Sequence, residues 1–253
     1  MVSVLVTGSS DGIGRETAAT LVGLGHRVVL HARDAARAGQ ALAAVPKADG
    51  VVIGDLASLS QTKELAPAAG PCDVVVHNAG LGGGLRERTI TDDGLELLFQ
   101  VNVLAPYLLT ALMPRPSRLI YLTSGLESQG VADLDDLQHE RGEWDGMQAY
   151  SDSKLLDVVL AFAVARHWPD VLSNAVDPGW IKTKLGGPNA TDDLPKGADT
   201  QVWLATSDEP AATVTGRYFK WREDLRANPA AYDVELQDGL LDACAEITGV
   251  KLT

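Results

Sequence analysis

The chain opens on a β-branched apolar run, Val2 to Val6, that leads straight into Thr7-Gly8-Ser9-Ser10-Asp11-Gly12-Ile13-Gly14. An Ala- and Leu-rich stretch follows, from about Ile13 to Leu24, and Gly25 ends it. No other feature limits the fold as strongly. A continuous apolar run this short suits a strand buried on both faces, as in a parallel sheet. The three glycines then have separate uses. Gly8 permits a tight turn, Gly12 lets the backbone approach a pyrophosphate, and Gly14 lets the helix lie close to the strand. The helix N-terminus offers free N–H groups and a positive partial charge to phosphates. The spacing is G-x3-G-x-G. A glycine-rich turn alone is a weak signal, and its place between a first strand and a first helix is what gives it weight.

The alternation continues along the chain. Further strands are expected at Arg27–His31, Val51–Gly54, Asp73–His77, Arg118–Thr123, Val171–Val176 and Arg217–Lys220. Helices are expected at Asp34 to about Val45, with Asp34 as N-cap. Others are expected from Asp92 to about Met113, bent near Pro106, over Tyr150–Trp168, and within Pro229–Thr248. Strands alternating with helices give right-handed βαβ units. The expected fold is therefore α/β, one Rossmann-type domain over residues 1–253. It is a doubly wound parallel sheet of about seven strands with helices on both faces. An insertion at about 125–149 and a helical tail at about 222–253 complete it. The stretches 125–149 and 182–196 are irregular, and loops this long are usually functional or mobile. Ligands in such sheets sit beyond the carboxyl ends of the strands.

Charge and composition narrow the partners. With 21 Lys and Arg against 34 Asp and Glu, the net charge is −13, which repels phosphate backbones and anionic membranes. Only 5% of residues are aromatic, so base-stacking platforms are not expected. The two cysteines, Cys72 and Cys244, fit no metal or redox spacing. No metal site, nucleic acid or membrane partner is expected. The first residues resemble no secretory signal, and no run reaches the ~18 apolar residues of a membrane span. A cytoplasmic location is the expectation.

The strand-end residues carry the candidate chemistry. Gly8, Ser10, Asp11, Gly12 and Ile13 form the phosphate side. Strand two ends His31-Ala32-Arg33 rather than on an acid that would hold a ribose 2′-OH. Arg33 suits a 2′-phosphate, or is a solvated surface charge. Asp55-Leu56 follows strand three, where Asp55 would meet an adenine amino group or cap a turn. Asn78-Ala79-Gly80 follows strand four with small residues that leave room for a cofactor, and Asn78 can brace neighbouring loops. Tyr150 and Lys154 lie four apart, on one helix face. A phenol titrates near 10, and a neighbouring ammonium favours its phenolate, so the pair makes a usable general acid/base. Ser124 ends strand five, where its hydroxyl would polarise a carbonyl beside Tyr150.

In this order the motifs closely resemble those of the short-chain dehydrogenase/reductase family, from Val4 to about Phe219. The matching residues are Thr7-Gly8-x3-Gly12-Ile13-Gly14, Asp55, Asn78-Ala79-Gly80, Asn102, Ser124, Tyr150-x3-Lys154, and Pro178-Gly179 with Thr183. The resemblance implies an oxidoreductase interconverting a carbonyl and an alcohol by hydride transfer, with Tyr150 as general acid/base. Lys154 would also bind the nicotinamide ribose, Ser124 would orient the substrate, and Asn102 would hold a relay water. Pro178, Gly179 and Thr183 would hold the nicotinamide. Ala32-Arg33 points to NADP over NAD. The insertion, Gly216-Arg217-Tyr218-Phe219 and the C-terminal helix are similar to the retinol-dehydrogenase-like branch, which includes the WW-domain oxidoreductases. That branch suggests a small or lipophilic aldehyde, ketone or secondary alcohol as substrate. Two alternatives share the fold: a dinucleotide sensor without catalysis, and a relative of the nucleotide-sugar epimerases.

Some positions depart from the family pattern. Asp177 stands where Asn or His is more common, and Asp11 stands where many NADP users carry a basic residue. The helix holding Leu155 to Ala165 is apolar all round, as is the segment from Leu95 to Leu104. Such helices need a second burial partner. A homodimer across a two-fold axis would supply it, unless the insertion or the C-terminal helix covers these faces within one chain.

Overall fold

Eight strands form a single sheet in the order β3-β2-β1-β4-β5-β6-β7-β8. The computed structural model describes residues 1–253. The strands are β1 Ser3–Val6, β2 Arg27–Ala32, β3 Gly50–Ile53, β4 Val74–His77, β5 Arg118–Leu122, β6 Leu172–Asp177, β7 Arg217–Lys220 and β8 Glu223–Leu225. All pairs are parallel except β7 with β8. The chain order reverses beside β1, which pairs with β2 on one side and β4 on the other. The crevice at that switch point is where such sheets receive ligands.

Side chains alternate across the sheet and feed two cores. Val4, Val6, Val74 and Val76 pack on one face, beneath α1 Gly12–Gly23, α2 Ala35–Ala44 and α7 Leu194–Thr206. Leu5 and Val75 pack on the other, beneath α3 Leu59–Ala69, α5 Ala105–Leu112, α6 Gly146–His167 and α8 Val234–Thr248. Both faces are covered, which is why the strands read as continuous apolar runs.

Several expectations are corrected. An eighth strand extends the seven, so the tail from 222 begins as an antiparallel edge strand rather than a helix. Helices α3 and α7 were not legible: α3 contains Pro67 and α7 has Pro195 in its first turn and Gly197, so neither shows a clean periodic stripe. Their caps form nonetheless, Ser58 accepting from the Gln61 N–H and Asp193 from the Lys196 N–H. The helix expected from Asp92 starts later, as the short α4 Leu97–Phe99. Its irregularity is a π-helical turn at Gln100–Leu104 that runs directly into α5, and Pro106, which has no N–H to give to the preceding turn, lies just after it. Helix α6 starts earlier than Tyr150, capped by Asp145.

The apolar faces that suggested a dimer are covered within the chain. Leu160 and Val164 are fully buried, and α8 packs along α6. Arg166 donates to Gln237 and pairs with Asp238, and the Phe162 and Tyr232 rings meet at 5.2 Å. The following residues staple α3, α5 and α6 together: Lys63 donates to the Thr248 carbonyl at 2.8 Å, Tyr107 to Val250 at 2.7 Å and Trp168 to Thr253 at 3.0 Å. The insertion folds onto α6, where Asp152 accepts from the Val131 N–H at 2.7 Å. These contacts account for the all-round apolar helices without a second copy.

Candidate active site

The glycine turn is held by groups distant in sequence. Gly8 and Gly12 have φ of +63° and +55°, the left-handed region that glycine enters freely. A Cβ at Gly14 would overlap the Asn78 amide nitrogen and the Gly8 carbonyl. Asn78 Nδ2 donates to the Thr7 and Gly8 carbonyls at 2.8 and 3.3 Å. Thr7 Oγ1 accepts from the N–H groups of Asn78 and Ala79 at 2.9 and 3.0 Å. The expected bracing by Asn78 is therefore present. His31 is a partner that sequence reading missed. Its Nδ1 accepts from the Gly8 N–H at 2.9 Å, so its Nε2 is assigned as the donor to the Gly54 carbonyl, also 2.9 Å away. Burial holds its pKa below the ordinary histidine value, which favours the neutral ring this pairing needs. Nothing in the sequence marks Gly54 as its partner.

Asp11 caps α1, its carboxylate accepting from the Gly12 N–H at 2.8 Å. It also meets Lys184 at 2.7 Å and Arg37 at 3.9 Å. The Lys184 hydrogen bond, with that of Gly12, holds the Asp11 carboxyl below its usual range. Ser10 is half-buried in the same turn.

Beyond β2, Ala32 is buried and offers no acid. Asp34 is committed as the cap of α2, accepting from the Arg37 N–H at 2.8 Å. Arg33 is largely exposed and meets only the Asp34 carboxylate, at 3.3 Å. Asp55 forms a turn, its Oδ1 accepting from the Ala57 N–H at 3.0 Å, and Leu56 is buried in the core. Neither lines the main cleft.

That cleft encloses about 720 Å³ and runs from Ile13, Asn78 and Gly80 to Ser124, Tyr150 and Lys154, then under Pro178, Gly179 and Thr183. The fold thus gathers residues that follow β4, β5 and β6 with others from α6, at the carboxyl end of the sheet. Tyr150 and Lys154 share a face of α6, with the ammonium 6.0 Å from the phenol ring centroid. Lys154 Nζ donates to the Leu122 carbonyl at 3.0 Å and to Asp157 Oδ2 at 2.7 Å. A Cβ at Gly80 would come within 3.4 Å of that nitrogen, so the small residues after β4 do leave room here. Ser124 caps the 3-10 turn Gly125–Gln129, its hydroxyl accepting from the Leu126 N–H at 3.3 Å. Asn102 lies in the π-helical turn, a feature common at functional sites. Its side chain clasps Leu81 through both amide atoms, at 2.8 and 3.1 Å, and donates to Ser153 at 2.9 Å.

The stretch after β6 crosses the glycine turn. Thr183 Cγ2 would stand 3.3 Å from a Cβ on Gly12, so glycine is what lets the two segments meet. Trp180 and Leu185 are half-exposed on the cleft wall, and Trp180 Nε1 donates to the Gly186 carbonyl at 2.8 Å. Asp177 is explained by Lys220, which pairs with it at 2.8 Å, while its other oxygen accepts from the Gly179 N–H at 2.9 Å. Trp144, from the insertion, braces the loop after β4, donating to the Leu85 carbonyl at 3.1 Å.

These residues fit a nicotinamide dinucleotide. The glycine turn admits backbone close to a pyrophosphate at the start of α1, and Gly80 keeps the floor low beside Lys154. Ser124, Tyr150 and Lys154 stand at the far end, where a reacting carbon would lie.

A family model for short chain dehydrogenases matches residues 3–124. An uncharacterized oxidoreductase of Emericella nidulans is 40% identical over 99% of this chain and 98% of its own. Retinol dehydrogenase 14 of Mus musculus is 31% identical over 98% of this chain and 86% of its own. Among solved structures, the NADPH-bound carbonyl reductase from chicken fatty liver superposes with a TM-score of 0.67 at 20% identity. It covers 89% of this chain and 98% of its own, and it bears on the fold alone.

Proposed function

The chain belongs to the short-chain dehydrogenase family, and from that premise we propose that it is an NADP(H)-dependent oxidoreductase interconverting a carbonyl and an alcohol. The observation that carries this reading is the convergence of Ser124, Tyr150 and Lys154 on one cleft continuous with the glycine turn. The dinucleotide, when bound, supplies the hydride chemistry.

The chain's own residues supply position and a proton. Gly8, Ser10, Asp11, Gly12 and Ile13 would flank the phosphates, with Asn78, Ala79 and Gly80 beside the next ribose. Asp55 and Leu56 would stand near the adenine. Pro178, Gly179 and Thr183 would hold the nicotinamide end, and Lys154 its ribose hydroxyls. Ser124 would donate a hydrogen bond to the substrate carbonyl, raising its electrophilicity. Tyr150 would give its phenolic proton to the oxygen as negative charge develops there, and take it back in the reverse direction. The Lys154 ammonium favours the phenolate left behind. The Asn102 side chain is engaged with Leu81 and Ser153, so its main chain is the part available to hold a relay water.

Arg33 supports NADP over NAD. Its exposed guanidinium follows β2 and would meet a 2′-phosphate there, while the nearest acid, Asp34, is occupied as a cap. The cleft walls Leu81, Leu85, Leu126, Met147, Trp180 and Leu185 are apolar. They suit an uncharged, lipophilic aldehyde, ketone or secondary alcohol.

A turnover assay with NADPH, NADH and a panel of lipophilic carbonyls tests the proposal. Wild type should oxidise NADPH with a higher kcat/KM than NADH. Tyr150→Phe should bind the dinucleotide as before and lose kcat by ~100-fold or more, the ordinary contribution of a positioned acid. A dinucleotide sensor predicts no turnover in either protein. Equal kcat in wild type and Tyr150→Phe would overturn the mechanism.

A further inference from the structure

Asp157 sits one turn beyond Lys154 on α6, and both side chains are almost fully buried. Their ion pair is 2.7 Å long. The Asp157 side chain is 4% exposed, so it is not a surface charge that happens to meet a lysine. Lys154 has three N–H donors. The Leu122 carbonyl takes one and Asp157 takes another. Only the third is left for the cleft that Lys154 lines.

We propose that Asp157 is the positioning residue of this site: it keeps the buried Lys154 ammonium charged and aims its remaining N–H at the dinucleotide. The inference rests on the functional reading above for the identity of that ligand.

The physical argument is one of compensation. Taking an ammonium out of water disfavours its charged form, and buried lysines can deprotonate in the neutral range. Burial alone would push the Lys154 pKa down, yet the charge and hydrogen bond of Asp157, with Tyr150 adding, hold it above the ordinary value. The cost falls on the partner. Burial lifts the Asp157 carboxyl to about 6, although Lys154 pulls the other way. Near and below that pH the carboxylate takes a proton and the countercharge fades. The other titratable groups around the pair are few. Tyr150 faces Lys154 from one turn earlier on the same helix. Tyr121 faces Asp157 from β5, and is itself bonded to Thr110 at 2.8 Å and stacked on His77 of β4. Burial holds the Tyr121 hydroxyl far above and the His77 ring far below their ordinary values, so both stay neutral. Asp157 is thus the single group facing Lys154 that supplies negative charge near neutral pH.

Two measurements on the intact protein test this. The first follows the Lys154 ε-carbon by NMR in lysine-labelled protein, with Lys154→Met giving the assignment. In wild type the ammonium should persist through pH 10. In Asp157→Asn it should titrate at or below about pH 8, low enough to lose nine-tenths of its charge by pH 9, and a titration that stays above pH 9 overturns the proposal. The second follows NADPH binding by fluorescence at pH 6 and pH 9. Asp157→Asn should match wild type at pH 6 and bind at least tenfold more weakly at pH 9, converging on Lys154→Met. A ratio that does not change with pH marks a merely structural effect and also overturns it. If Asp157→Asn fails to fold, Asp157→Ser, smaller and neutral, takes its place with the same expectations. Wild type that binds no nicotinamide dinucleotide would instead overturn the functional reading, and the NMR arm would still decide whether Asp157 holds the charge.

Discussion

His77 shows how burial sets what a residue can do. It ends β4 within reach of the cleft, yet its ring is stacked on Tyr121 at 4.6 Å and its Nε2 lies 3.1 Å from the Thr110 hydroxyl. Burial pushes its pKa down to about 3. It is a structural residue. The unfolded chain takes up this proton near pH 6.5 and the folded chain does not. Stability tied to neutral His77 is therefore fully present above pH 6.5. It is lost as pH falls from there toward about 3, at up to ~1.4 kcal/mol per pH unit. His31 acts in the same direction. Urea unfolding at pH 7.5 and 5.5 should show His77→Phe, which keeps a ring against Tyr121, losing about 1 kcal/mol less than wild type. Equal losses would show that His77 does not carry the slope.

At the scale of elements, the segment from Lys182 to Asp193 is expected to move on ligand binding. It is held over the glycine turn by the Lys184–Asp11 pair, whose lysine is 81% exposed. A pair that open to solvent contributes ~0–1 kcal/mol, too little to keep a segment shut. A bridge at Ile181 and Asp192 closes its base, so the part free to swing is the loop between them. Its Leu185 and the adjoining Trp180 are half-exposed and would gain burial against a lipophilic ligand. Hydrogen exchange between residues 182 and 192 should slow when dinucleotide and a carbonyl ligand are bound together, as a lid closing on its ternary complex would do. Equal protection with and without ligands would exclude a lid. The start of this segment was legible from its place after strand six, with Gly186 and Gly187 in an irregular core. Its end was not, because α7 begins with an Asp193 cap and a proline rather than an apolar stripe.

For the whole molecule, α8 and the residues after it bear on assembly. They cover the α6 face and tie α3, α5 and α6 together. Light scattering at micromolar concentration should give a mass near 26.7 kDa, and a mass near twice that would mean α8 leaves an interface open. Leu160→Glu should then cost several kcal/mol of folding stability, because it places an unpaired charge in a full core, and should not yield a folded, dissociated species. By itself the sequence determined the βαβ order, the glycine turn, the Asp34 cap and the shared face of Tyr150 and Lys154. Each depends on residues within a few positions of one another, where helix and strand periods dictate geometry. Only the tertiary structure decided that His31 holds Gly8, that Lys220 answers Asp177, and that α8 and the residues after it cover α6 and hold α3 and α5. Those pairings join segments 23 to 185 residues apart, and packing against the sheet, not local propensity, brings them together.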